Sequence, residues 1–151
     1  IKTNSREVRN WCQPIISDHY NSLNGFLIKK INKTDHYLLK ITKEPGLVSP
    51  KFTSTVSIKN YRGFKKNKKI KFLNVFNKYK VRKFINSDEG GRFYRNESHN
   101  LVSFIKDKDK IAIGKNFKWV SHNQVVQLIE KNLLTIEARN LFACCNIDKI
   151  H

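Results

Sequence analysis

The run Phe26-Leu27-Ile28-Lys29-Lys30-Ile31, then Asn32-Lys33-Thr34-Asp35, then His36-Tyr37-Leu38-Leu39-Lys40-Ile41-Thr42-Lys43 decides the fold class. In the second arm Tyr37, Leu39 and Ile41 alternate with Leu38, Lys40 and Thr42, the period of a strand, and the polar tetrad between the arms has turn composition. The pattern predicts a β-hairpin. Outward from it, Thr53 to Lys59, Lys71 to Phe76, Val81 to Ile85, Arg92 to Tyr94, Leu101 to Lys106 and Ile111 to Ile113 are further predicted strands. The last third changes period. Ser121 followed by Gln124 is a capping-box pattern, and Val125, Val126, Ile129 and Leu133 then give a helical face. A second helix is predicted from Thr135, with Glu137 in its first turn and Ile136, Leu141 and Phe142 apolar. The expectation is an α+β class, a mixed β-sheet with C-terminal helices.

No Pro/Gly-rich linker, low-complexity block or internal repeat divides the 151 residues, so a single domain over 1–151 is expected. A hydrophobic share of 39% supports a real core and excludes a disordered basic tail. Lys and Arg total 30 against 12 Asp and Glu, a net +18 that invites a nucleic-acid reading. The densest stretch is Arg62-Gly63-Phe64-Lys65-Lys66-Asn67-Lys68-Lys69-Ile70-Lys71. Lysine outnumbers arginine, asparagine is abundant, and both spread over the whole chain, so the excess reads as background and the run as a solvated loop. Nucleic acid is therefore not the expected partner. No apolar run approaches the roughly 20 residues of a membrane span. The start, Ile1-Lys2-Thr3-Asn4-Ser5-Arg6, lacks a signal peptide's apolar stretch, and with no methionine present the chain is expected to be a partial version of a longer protein. Cys12, Cys144 and Cys145 form no metal-ligand or redox spacing and read as free thiols in a reducing cytoplasm.

The chemistry sits in islands between the lysine-rich stretches. Trp11-Cys12-Gln13-Pro14 joins an aromatic platform for a base or sugar face to an amide that both donates and accepts, although residue type alone favours a core role for Trp11. Glu44-Pro45-Gly46 holds a carboxylate at a rigid turn, either as a positioned base or as a solvated turn residue. In Ser87-Asp88-Glu89-Gly90-Gly91-Arg92-Phe93-Tyr94 paired glycines admit a ligand, Arg92 can fork onto a phosphate, and Asp88 can exchange protons; a charged hairpin tip is the alternative. His36 and His99 are the neutral-pH acid/base groups near these islands. Phosphate-binding glycine loops, Gly-x-Ser-x-Gly and paired helical histidines are absent from the sequence, and no metal set is expected.

Taken in order, the islands resemble the NDP-hexose 2,3-dehydratases, enzymes of deoxysugar biosynthesis. The resemblance runs through Trp11-x-Gln13-Pro14-Ile15-Ile16, Gly25-Phe26-Leu27, His36-Tyr37-Leu38 and Glu44-Pro45-Gly46. It continues through Thr53 ahead of Asn60-Tyr61, Ser87-x-x-Gly90-Gly91-Arg92-Phe93, Asn100, Phe117-Lys118-Trp119 with Gln124, and Ala138-Arg139. The resemblance implies one copy of a normally duplicated unit with a Nudix-hydrolase-like fold, without the opening segment, and a nucleotide-linked 4-keto-6-deoxyhexose as ligand. The Nudix catalytic helix with its glutamate cluster is not visible, so metal-dependent pyrophosphate cleavage is not implied. The chain departs from the family pattern at Lys40 and Thr42 before the Glu-Pro-Gly turn, at Thr53-Ser54-Thr55, at Asp88-Glu89, and at Glu97-Ser98-His99-Asn100, where the family's two arginines are missing.

The implied reaction removes the C2 hydroxyl of the 4-ketosugar. The ketone acidifies the C3 proton, a base takes it, donors stabilise the enolate, and an acid helps the C2 oxygen leave as water. No redox cofactor is needed, because the electron count does not change, and the enol product rearranges to a 3,4-diketosugar that a separate reductase would consume. Glu44, Asp88 and His99 are the candidates for proton transfer, in no fixed order. Trp11 and Gln13 are assigned near the base or sugar, Asn60, Tyr61 and Tyr94 to polar ligand contacts, and Arg92 to the diphosphate. A homodimer would restore the two-copy arrangement. Two other readings stay open, a non-catalytic nucleotide-sugar-binding relative and a small basic nucleic-acid-binding module.

Overall fold

The computed structural model describes residues 14, 16–17, 21–43, 48–59, 61, 70–87, 93–94 and 96–146. In chain order these form β1 (Ile16–Ser17), β2 (Ser22–Ile31), β3 (Thr34–Thr42), β4 (Lys51–Thr53), β5 (Val56–Ile58), a 3₁₀ helix (Leu73–Asn77), β6 (Val81–Ser87), β7 (Phe93–Tyr94), β8 (Glu97–Ile105) and β9 (Phe117–Ser121). Helices α1 (His122–Glu130) and α2 (Ile136–Asn146) follow. The mixed sheet with two C-terminal helices is the expected α+β architecture.

The hairpin forms as predicted, and its turn is tighter than the polar tetrad suggested. Ile31 pairs with Thr34, leaving Asn32 (φ 50°) and Lys33 (φ 63°) to reverse the chain. Two positive φ values in a two-residue loop match the twist of the strands they join. Asparagine adopts this conformation readily, whereas Lys33 bears a local cost of about 1–2 kcal/mol.

β2 is the spine of the sheet. β8 runs parallel to it along one edge, from Ser22↔Ser98 to Lys29↔Ile105, and β6 lies antiparallel on β8. On its other edge β2 pairs with β3 only from Ile28↔Tyr37 to Ile31↔Thr34, after which β5 takes that edge at Leu23↔Ile58 to Gly25↔Val56. β3 meanwhile holds β9 along one edge and receives β4 at Lys40↔Thr53 on the edge β2 has left. The sheet therefore forks. Thr55 sits at the branch, where its Oγ1 accepts from Leu27 N–H at 3.0 Å and donates to the Leu38 carbonyl, joining two strands that no longer bond each other. The predicted strand Thr53 to Lys59 is accordingly two strands, broken at Ser54-Thr55 so that one arm can serve each branch.

Each face of the forked sheet buries its own core, which is why β2 is buried at every position from Leu23 to Ile28. Phe26, Ile28, Tyr37, Leu39, Val102 and Val120 pack beneath α1 and α2, against Val125, Leu134, Ala138, Leu141, Phe142 and Cys145. Leu23, Leu27, Leu38, Leu101 and Ile105 face the other way, against Phe72, Leu73 and Phe76. Lys71 to Phe76, predicted as a strand, is a correction: Phe72, Leu73 and Phe76 are spaced as a helical face and bury together in a 3₁₀ turn. Gly25 is the seat for that turn, since a Cβ there would lie 2.6 Å from Phe76 Cζ. Ile111 to Ile113 is likewise not a strand; Ile111 leans on the lower core while Ile113 is exposed, without a ladder partner among the described residues. Conversely β9 was not predicted, because its identity comes from pairing with β3.

The helices begin where predicted. Ser121 Oγ accepts from Gln124 N–H at 3.4 Å and Gln124 Oε1 accepts from Ser121 N–H at 3.0 Å, closing the capping box. Thr135 Oγ1 accepts from Ala138 N–H at 3.4 Å. Two predicted face residues differ: Val126 and Ile136 are exposed, and the buried sides run through Val125 on α1 and Ala138, Leu141, Phe142 and Cys145 on α2. Cys144 and Cys145 form no disulfide, and Cys12 lies outside the described residues.

Candidate functional site

The strand ends locate the islands. β2 and β8 begin, and β5 and β6 end, at one end of the sheet, marked by Ser22, Ser98, Ile58 and Ser87; β3 also runs out toward that end. The predicted site residues His99 and Tyr61 are at this end. β1 and β7 form a separate parallel pair, Ile16↔Phe93 and Ser17↔Tyr94, so the strand that follows the Trp11-Gln13 island runs beside the strand that follows Arg92. Tyr94 itself is exposed. Trp11, Gln13, Glu44, Asn60, Asp88 and Arg92 lie outside the described residues.

His99 occupies a row across three strands, Leu23–His99–Ile85. Its Nε2 is 3.0 Å from Asn21 Nδ2. An amide nitrogen can only donate, so Nε2 accepts and the proton of the neutral ring resides on Nδ1, available as a donor. Asn21 also accepts, through its backbone carbonyl, from Tyr61 N–H at 2.8 Å. One asparagine thus fastens two of the three described candidates. Burial raises the Tyr61 phenol above its ordinary value, which keeps it a proton donor at neutral pH. On the other face of the same strands Ser22 and Ser98 hydroxyls meet at 2.6 Å.

Several matched polar residues have structural work instead. Asn100 points to the helix side, 2% exposed, with its Nδ2 donating to Ser98 O at 3.2 Å. The departure Thr53-Ser54-Thr55 is wholly buried: Thr53 and Thr135 hydroxyls lie 3.1 Å apart, Ser54 Oγ donates to Val56 O at 2.8 Å, and Thr55 bridges the fork. Gln124 caps α1. Asn21 was missed in the sequence, although it stands only four positions before the matched Gly25-Phe26-Leu27.

What the arrangement can do is donate hydrogen bonds to a polar ligand, with the His99 ring and the Tyr61 backbone both held by Asn21. Among the described residues no three His, Cys, Asp or Glu side chains group as metal ligands, and no helix is long and apolar enough to cross a membrane.

A family model described as NDP-hexose 2,3-dehydratase matches residues 1–145. The chain is 26% identical to a protein of Saccharopolyspora spinosa named dTDP-4-dehydro-6-deoxy-alpha-D-glucopyranose 2,3-dehydratase, over 95% of this chain and 31% of that protein. A protein of the same name from Amycolatopsis orientalis is 27% identical over 97% of this chain and 32% of its own length. The chain therefore spans about a third of these relatives. Among solved structures, the C-terminal domain of mouse MUTYH, crystallised with human PCNA, is similar at a TM-score of 0.54 and 10% identity, covering 85% of this chain and 88% of that one. The NUDIX domain of Shewanella oneidensis NrtR, complexed with ADP ribose, gives 0.49 and 12%, over 89% and 90%.

Proposed function

The chain belongs to the NDP-hexose 2,3-dehydratase family, and from that premise we propose that it binds a nucleoside diphosphate 4-keto-6-deoxyhexose and eliminates water across C2 and C3. The observation that carries this reading is the family match over residues 1–145, which spans the islands in their order. In the proposed reaction a carboxylate, Glu44 or Asp88, takes the C3 proton made acidic by the C4 ketone. The Tyr61 hydroxyl donates to the developing enolate. The carboxylic acid so formed returns the proton to the departing C2 oxygen, to which His99 Nδ1–H donates a hydrogen bond, a role supported by the Asn21 bond that occupies Nε2. The C3–H and C2–O bonds break, C2=C3 forms, water leaves, and the enol rearranges to the 3,4-diketone. Trp11, Gln13, Asn60 and Tyr94 contact base or sugar, and Arg92 grips the diphosphate.

A second reading, binding without turnover, is favoured by Glu97, an exposed acid in the segment where the family carries arginines. Thermal shift with a panel of nucleoside diphosphate sugars, run beside a turnover assay, separates the two: both predict stabilisation, and only catalysis predicts loss of the C2 hydroxyl. No stabilisation by any member of the panel rejects both. We further propose a cytoplasmic protein, a single 1–151 domain that pairs into a symmetric homodimer, supported by Cys144 and Cys145, which form no disulfide, and by the duplicated unit the resemblance implies.

A further inference from the structure

At the opposite end of the sheet from His99, the chain enters β6 and leaves β8. Between the 3₁₀ helix and the turn after Ile105 lies a cavity of about 670 Å³. Along β8, His99 and Lys106 are seven residues apart, about 23 Å at the rise of a strand, so this cavity is separate from the site proposed above.

Four lysines line it, Lys78, Lys106, Lys108 and Lys110, against one acid, Asp109. A turn closed by Asp109 N–H on Lys106 O at 2.9 Å brings the last three lysines to one wall. The acid is already engaged. Its Oδ2 accepts from the Tyr79 hydroxyl at 2.6 Å, and that hydrogen bond, with desolvation and the Asp109 charge adding to it, holds the phenol above its ordinary value, so the proton stays on Tyr79. One carboxylate oxygen is thereby committed to the tyrosine. Four cations of like sign gathered on a concave surface repel one another and focus a positive field into it. The cavity beside α1 holds fewer, two lysines, Lys118 and Lys131. The volume falls within the usual range for small-ligand sites, about 300–1,000 Å³, and exceeds what a single phosphate needs.

We propose that this cavity is a second anion site, built for a compact polyphosphate group of the pyrophosphate class, whether free or as the tail of a nucleotide. Lysine suits it as a point charge on a flexible stem, able to follow several phosphate oxygens.

Isothermal titration of the full chain with inorganic pyrophosphate, in buffer free of phosphate, tests this. The triple variant K106Q/K108Q/K110Q should weaken binding by about tenfold per lysine that contacts the anion, while the control K30Q/K33Q/K131Q, which removes the same total charge, should stay within twofold. Tyr79→Phe provides an independent arm: it frees Asp109 to pair with the lysines and should weaken binding at an unchanged lysine count. A parallel titration with ADP distinguishes the sources, since tighter binding than pyrophosphate assigns the site to a nucleotide tail and equal binding to the free anion. Equal losses in the two triple variants, full binding retained in K106Q/K108Q/K110Q, or no pyrophosphate binding by the parent chain would each overturn the proposal.

Discussion

Replacing Thr55 with valine keeps the side chain's shape and deletes one hydroxyl at the point where the sheet forks. That hydroxyl accepts from Leu27 N–H and donates to the Leu38 carbonyl, and Thr55 is 2% exposed, so water cannot replace it. The variant leaves one buried donor and one buried acceptor unmet, each worth about 1–3 kcal/mol. The expected loss is about 2–6 kcal/mol, against a total stability of about 5–15 kcal/mol for a domain. In urea, with a slope of about 2 kcal/mol per molar, this lowers the unfolding midpoint by roughly 1–3 M at an unchanged slope. Thr55→Ser is the control, because it keeps the hydroxyl and deletes only a buried methyl, for about 1 kcal/mol. If valine proves no more damaging than serine, the bridge does not hold the fork, and the division of β4 and β5 between two branches must come from packing alone.

Gly25→Ala should destabilise by about 1–3 kcal/mol through overpacking, since the new Cβ meets Phe76 Cζ at 2.6 Å; Phe76→Leu in the same chain should recover part of the loss, seen as coupling in a double-mutant cycle. Asn21→Leu should release His99 from a single tautomer, so that long-range ¹H–¹⁵N spectra show Nδ1–H and Nε2–H forms mixed where the parent shows Nδ1–H alone. Tyr61 and Tyr79 titrate above the ordinary 10.0 in the folded chain, so their contribution is full below that value and lost as pH rises through the folded one; Tyr61→Phe should flatten the fall in urea midpoint between pH 9 and 11. Arg92→Lys should weaken nucleotide-sugar binding by about tenfold or more while the melting temperature of the free protein barely moves, because lysine cannot form the bidentate pair.

The parts of the fold legible in the sequence are those held by neighbours along the chain. The hairpin shows in the alternation of Tyr37, Leu39 and Ile41, and α1 shows in Ser121 with Gln124, because both depend on contacts within a few residues. The fork does not show. Thr53 to Lys59 has the composition of one strand, and only the separate claims of β3 and β2 on its two halves divide it. Phe72, Leu73 and Phe76 look like strand residues until Gly25, some fifty positions earlier, offers the bare backbone on which Phe76 rests. The site follows the same rule. Tyr61 was readable as a polar residue in a matched island and His99 as an acid/base group in a segment that departs from the family, but the residue that links them, Asn21, is 78 positions from His99, and no local pattern carries that distance. Polarity also misleads in the other direction, since the hydroxyls of Thr53, Ser54 and Thr55, in a segment that departs from the family, are spent on the scaffold.

The central claim is tested most directly by following dTDP-4-dehydro-6-deoxyglucose with the protein in D₂O by NMR. Elimination started at C3 predicts protein-dependent loss of the C3 proton signal together with disappearance of the oxygen-bearing C2 position and growth of a 3,4-diketosugar, at a rate that falls in Glu44→Gln or Asp88→Asn. A sugar spectrum that changes no faster than in buffer alone, at protein concentrations that saturate the ligand, would contradict it.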